Sequence, residues 1–138
     1  MKMITLLYKT DVPNLNGHIY PREVVKRALE EFKTKMIDRR HSTGELQGPA
    51  RSEINLTQAS HLVTGYEECL EGYLITSKVL DTPMGKVLET LLGDERQESF
   101  IKYGMVSTGT LNNNVVGDMK IISIDILPNG GEEYNART

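Results

Sequence analysis

The sequence of 138 residues predicts an α+β fold: an antiparallel-rich β-sheet or barrel flanked by two or three helices. Three observations carry that expectation. Val24, Ala28, Phe32 and Met36 recur at a spacing of four behind Pro21, which is the stripe of an amphipathic helix. Residues 60–66 and 73–80 are β-rich on either side of Glu71-Gly72, a turn dipeptide, and read as a hairpin. Ile122, Ile124 and Ile126 alternate with Ser123 and Asp125, the period of a strand with two unlike faces. A chain of this length holds one core, so residues 1–138 are expected to form a single domain.

Taken in order, Ile4 to Tyr8 reads as a strand. Asp11 to Gly17, with Pro13, Asn14, Asn16 and Gly17, is a turn-rich connection. Pro21 suits the first position of a helix that runs to about Met36. Val25 and Leu29 widen its apolar stripe, while Arg22, Lys26, Arg27, Glu30 and Lys33 are expected to face water. Thr43 to Pro49 contains two Gly and a Pro and is expected to be a loop. After the hairpin, Thr82 caps a second helix with Pro83 at its first position. Val87, Leu88, Leu91 and Leu92 form its buried stripe, and Gly93 ends it. Residues 94–102 give no clear signal. Met105 to Leu111 and Val115 to Leu127 are two further strands joined by Asn112-Asn113-Asn114.

Composition narrows the function. The balance of 16 Lys and Arg against 19 Asp and Glu leaves a net charge of -3, which gives no electrostatic reason to bind a phosphate backbone. Aromatic residues make up only 6%, with no Trp, so a base-stacking platform has little material and no nucleic-acid partner is expected. The lone Cys69 excludes an internal disulfide framework and any multi-cysteine zinc site. No apolar stretch approaches about 18 residues, and the N-terminus lacks the apolar region of a signal peptide. The chain is therefore expected to be soluble and intracellular, without a membrane partner.

Little catalytic machinery is visible. His18, His41 and His61 are far apart, and neither a His-Glu-x-x-His nor a Cys-x-x-Cys spacing occurs. No phosphate-binding glycine loop occurs either, so no metal and no nucleotide cofactor is expected. Two residues remain. His61 lies in an apolar strand, and Ser107 lies in Gly104-Met105-Val106-Ser107-Thr108-Gly109. A serine hydroxyl needs a base within hydrogen-bond reach to become a nucleophile, and His61 is a candidate for that base.

The order of four segments is more informative than any one of them. Asn14-Leu15-Asn16-Gly17-His18-Ile19-Tyr20-Pro21 leads into a helix, and Gly44-Glu45-Leu46-Gln47-Gly48-Pro49 follows it. Then come Ile54-Asn55-Leu56 through Ala59-Ser60-His61-Leu62-Val63, a hairpin, and Asp81-Thr82-Pro83-Met84-Gly85. The last is Gly104 to Gly109, followed by the strand that ends Ile124-Asp125-Ile126-Leu127-Pro128. This arrangement resembles the prohead maturation proteases of the T4 type, whose fold is similar to the herpesvirus assemblin. The resemblance implies a serine endopeptidase that cleaves scaffold and major capsid proteins during head assembly. It implies a place in the host cytoplasm, inside or on the prohead, with self-association left open. Carried onto this sequence, Ser107 is the nucleophile and His61 its general base, while Thr108 and Gly109 contribute to the oxyanion or substrate site. Asp125 is the better candidate for the third member and Glu45 the runner-up. Two departures point to the alternative, an inactive protease fold retained as a capsid or assembly component. Gly48 stands where many relatives place a histidine, in some of them the catalytic one. Thr108-Gly109-Thr110 follows where the serine motif commonly continues with Ser-Arg-Gly.

Overall fold

The computed structural model describes residues 2–14, 16–46, 55–93 and 101–127. Strand β1 (Met3–Lys9) buries Ile4 and Tyr8, with Leu6 and Leu7 half-buried and Met3, Thr5 and Lys9 exposed. The chain then turns through Asp11 and Gly17, both with positive φ, into helix α1 (Arg22–Phe32). Pro21 caps this helix from outside it, in extended conformation, rather than opening it as its first residue. The expected stripe is present, with Val25, Ala28, Leu29 and Phe32 buried. Past Phe32 the backbone widens into a π turn, Lys33–Ile37, so the regular helix is shorter than the periodicity predicts.

Arg22 does not simply face water. Its guanidinium donates to Glu68 at 2.9 Å and to the carbonyls of Cys69 and Leu70 at 2.8 and 2.6 Å. It thereby ties the start of α1 to the tip of the β3–β4 hairpin, β3 being Ala59–Cys69 and β4 Gly72–Val79. The fork of five N–H donors suits arginine to collecting several acceptors at one corner.

The segment expected to be a loop opens instead with a short strand, β2 (Thr43–Glu45); Gln47 to Pro49 lie outside the described residues. Helix α2 (Pro83–Leu92) starts as expected, the Thr82 hydroxyl accepting from the Gly85 N–H at 2.9 Å. Its buried side is Gly85, Leu88 and Leu92, whereas Val87, expected inside, is 46% exposed. Strands β5 (Lys102–Asn112) and β6 (Val115–Leu127) form the final hairpin. Asn113 and Asn114 make its two-residue turn, both with positive φ, a conformation asparagine tolerates better than most residues.

One antiparallel sheet has the strand order β1-β4-β3-β2, and β5 pairs with β6 in a second. A parallel bridge from Leu46 to Ile126 joins the end of β2 to β6 and so connects the two sheets. Tyr73, Ile75, Met105, Ile124 and Ile126 lie in the core, with α1 packed against β6 and α2 against β3. The architecture is α+β with antiparallel sheets and two α-helices among the described residues. None of those helices is long and apolar enough to cross a membrane.

Candidate functional site

His61 sits on β3, completely buried. Its Nε2 lies 2.8 Å from the carbonyl oxygen of Ile124 on β6. A carbonyl can only accept, so Nε2 carries the ring proton. That leaves Nδ1 bare, and it accepts from the Ser60 hydroxyl at 2.7 Å. Both ring nitrogens are therefore engaged, and neither partner is Ser107. Burial pushes the His61 pKa below its ordinary 6.5; the bond to the Ile124 carbonyl and the charge of Asp125 act in the opposite direction but are weaker. The imidazole is neutral and spans the two sheets.

Gly44 makes this approach possible. It pairs with His61 across β2 and β3, and a Cβ at position 44 would collide with the Ile124 carbonyl and with the His61 ring. A glycine inside a strand commonly marks such a close approach.

Asp125, also fully buried, lies on β6 beside this joint. Its Oδ1 accepts from the Ser123 hydroxyl at 2.6 Å and from the Glu45 N–H at 3.0 Å. Asp125 thus fastens β2 to β6 next to His61 without a hydrogen bond to either ring nitrogen. Glu45, the runner-up carboxylate, is 5% exposed at the register shift where β2 leaves its pairing with β3.

Ser107 lies on β5 at a second irregularity. The β5–β6 register shifts between Val106 and Ser107, so Val106 faces Ser123 while Ser107 faces Ile121. Ser107 is 7% exposed, and its Oγ has no hydrogen-bond partner among the described residues. Thr108 is exposed, and Gly109 falls in a further shift of register between Thr108 and Thr110. The structure therefore gathers Ser60, His61, Gly44, Ser123, Asp125 and the Glu45 backbone into one joint, and leaves the Ser107 hydroxyl outside its hydrogen bonds.

A search of solved structures gives a match with the capsid assembly protease gp21 of bacteriophage T4. The TM-score is 0.73 over 91% of this chain and 80% of that one, at 18% sequence identity. The chain has the fold of a capsid assembly protease. No family model matches the sequence, and no curated protein does either.

Within this capsid-assembly-protease fold, the sequence singled out His61, Asp125 and Ser107 but missed what surrounds them. Ser60 carried no signal, because neighbouring strand residues ordinarily point to opposite faces. In the sequence Ser123 is only part of a polar strand face; in place it hydrogen-bonds a buried carboxylate. Gly44 had a legible signal, a glycine two residues before Leu46 in a segment that turned out to be a strand. Among the described residues no group of three His, Cys, Asp or Glu is placed to hold a metal ion. Chemically, the joint can hold two sheets together and keep one neutral imidazole dry. A general base needs a free lone pair aimed at the proton it removes, and the only bare nitrogen of His61 already accepts from Ser60.

Proposed function

We propose that this chain is a phage capsid-assembly component in which a protease fold binds assembly partners without cleaving them. The observation that carries the reading is the double engagement of His61, by Ser60 at 2.7 Å and by the Ile124 carbonyl at 2.8 Å. A hydroxyl without a base is a very weak nucleophile at neutral pH, so Ser107 gains no activation from this imidazole. The sequence adds that position 48, where many relatives of the resembled family carry histidine, is a glycine with nothing to titrate. The partners on this reading are the scaffold and major capsid proteins, and the place of action is the prohead. Serine endopeptidase activity through Ser107 is the competing reading, favoured by one observation: the Ser107 hydroxyl is buried and has no hydrogen-bond partner among the described residues.

Purified protein incubated with the scaffold and capsid proteins of its own phage distinguishes the two. The binding role predicts co-sedimentation with those proteins and no fragments, with wild type and Ser107→Ala alike. Fragments that appear with wild type and vanish with Ser107→Ala would overturn it. Mass spectrometry of mature particles gives a second check, since a structural copy persists there in fixed proportion to the capsid protein.

A further inference from the structure

Charge is unevenly spread over the two ends of α1. Past the π turn the chain reverses at a corner, Asp38-Arg39-Arg40, where Arg40 takes a positive φ of 59°. Three backbone bonds fix it: the Asp38 N–H donates to the Lys33 carbonyl at 2.8 Å, that of Arg40 to Ile37 at 3.0 Å and that of His41 to Met36 at 2.9 Å. Lys33 is paired with Asp38 at 3.2 Å and Lys35 with Glu31 at 3.3 Å. Arg39 and Arg40 are exposed and make no ion pair among the described residues. Met36 and Ile37, half-buried, present apolar surface just before them. The corner is a fixed cationic projection beside an apolar step.

The tip of the β3–β4 hairpin has the complementary chemistry. Leu70 is 95% exposed, the most exposed large apolar side chain among the described residues. Its backbone is fixed, because Arg22 donates to the Leu70 carbonyl and the Thr10 N–H donates to that of Glu71 at 3.1 Å. Glu68 is engaged by Arg22, whereas Glu67 and Glu71 are exposed and make no ion pair among the described residues. The tip is tied to the start of α1 and the arginine corner lies beyond its end. The 11 residues of helix between them span about 16 Å at a rise of about 1.5 Å per residue. A lone exposed leucine or a pair of surface arginines is ordinary. What is not ordinary is the match: two unpaired cations by an apolar step, and two unpaired anions around an apolar projection. The helix surface between them is self-complementary as well. Glu23, Lys26, Glu30 and Lys33 follow one another at spacings of three and four, so they form a single stripe of alternating sign. Turned end for end about its middle, the stripe sets Lys26 opposite Glu30 and Glu23 opposite Lys33.

We propose that α1 is the face on which a second copy of this chain docks, antiparallel, about a two-fold axis. Leu70 of each copy then rests on Met36 and Ile37 of the other, and Glu67 and Glu71 meet the guanidinium groups of Arg39 and Arg40. A two-fold axis makes the corner-to-tip contact twice and leaves no open end, which is the commonest closed symmetry among soluble oligomers. Guanidinium groups suit the contact because they meet carboxylates through two parallel hydrogen bonds. The proposal holds whether or not Ser107 cleaves anything.

The test is sedimentation velocity of the full chain at low salt, in a concentration series up to about 1 mM. The chain should pass from monomer to dimer and no further, and added salt should return it to monomer. Two double variants reverse one patch each: Arg39→Glu with Arg40→Glu, and Glu67→Lys with Glu71→Lys. Each alone should dimerise about tenfold or more weakly, because like charges then face one another. Mixed in equal amounts they should form a one-to-one dimer, since the acidic corner of the first fits the lysine tip of the second and the remaining corner and tip keep their own charges. Leu70→Ser should weaken the dimer with every charge in place. Thermal melts that match the wild type show that the variants fold, and a misfolded variant is not rescued by mixing. A chain monomeric throughout, a dimer indifferent to both reversals, a mixture no more associated than its components, or growth past the dimer would each overturn the proposal.

Discussion

His61 and Ser107 are both buried polar residues on strands, yet their surroundings differ in kind. Around His61 each ring nitrogen has a partner, Gly44 clears the space, and Asp125 fastens the adjoining strands. Around Ser107 the strand register slips and the hydroxyl has no hydrogen-bond partner among the described residues. Buried polar groups are ordinarily satisfied, because leaving one without a partner costs about 1–3 kcal/mol. A saturated group therefore contributes to holding the structure, whereas an unsatisfied one is available to a ligand or is simply tolerated. His61 is held through both ring nitrogens, whereas the Ser107 hydroxyl is the one of the pair without a partner among the described residues.

The largest effect expected from breaking this contrast is at Gly44. Gly44→Ala forces a methyl group against the Ile124 carbonyl and the His61 ring, and should destabilise the protein by about 3 kcal/mol or more, near the upper end for overpacking. Chemical denaturation read by circular dichroism measures it; a loss under about 1 kcal/mol would mean that the sheets separate easily there. His61→Leu comes next. It fills most of the space but strands the Ile124 carbonyl and leaves the Ser60 hydroxyl only its long 3.4 Å bond to the Gly44 carbonyl, for a loss of about 2 kcal/mol by the same assay.

The pH dependence is smaller and has a definite sign. With the folded His61 pKa held below 6.5, the unfolded chain takes up the proton first as pH falls. This residue's contribution is fully present above the ordinary histidine pKa and declines below it, by at most about 1.4 kcal/mol per pH unit. The stability gap between wild type and His61→Leu should therefore narrow from pH 7.5 to pH 5.5, the two conditions of the assay. A gap that widens on acidification would show that the imidazole is charged in the fold. Ser107→Ala should have the least effect, within about 0.5 kcal/mol of wild type in either direction, because no hydrogen bond from the hydroxyl to a described residue is lost. A loss above about 1 kcal/mol would reveal a partner for that hydroxyl and remove the contrast.

Local sequence patterns foretold much of the fold. Thr82-Pro83 marks the start of α2, the paired asparagines mark the β5–β6 turn, and the apolar stripe of α1 is buried as its spacing requires. Where the reading failed, the reason was a distant partner. Val87 belongs to the apolar stripe of α2 by period, but the helix turns Leu88 and Leu92 inward and leaves it exposed. Arg22 reads as a solvated charge until the hairpin tip brings it three oxygen acceptors. The Thr43–Pro49 segment looks like a loop because its strand lasts only three residues and depends on β3 for pairing.

The sequence by itself determined the elements, their order and the small set of residues able to carry chemistry, because helical and strand periods, caps and turn residues act over a few neighbours. It also carried a likeness to the T4-type proteases in the order of its segments. Only the tertiary structure decided what His61 bonds. A ring nitrogen bonds whatever the fold places within about 3 Å of it, and here that is the carbonyl of Ile124, a residue 63 positions away. Hydrogen bonds are short-ranged and directional, so the function of a buried polar side chain is settled by which strands meet there.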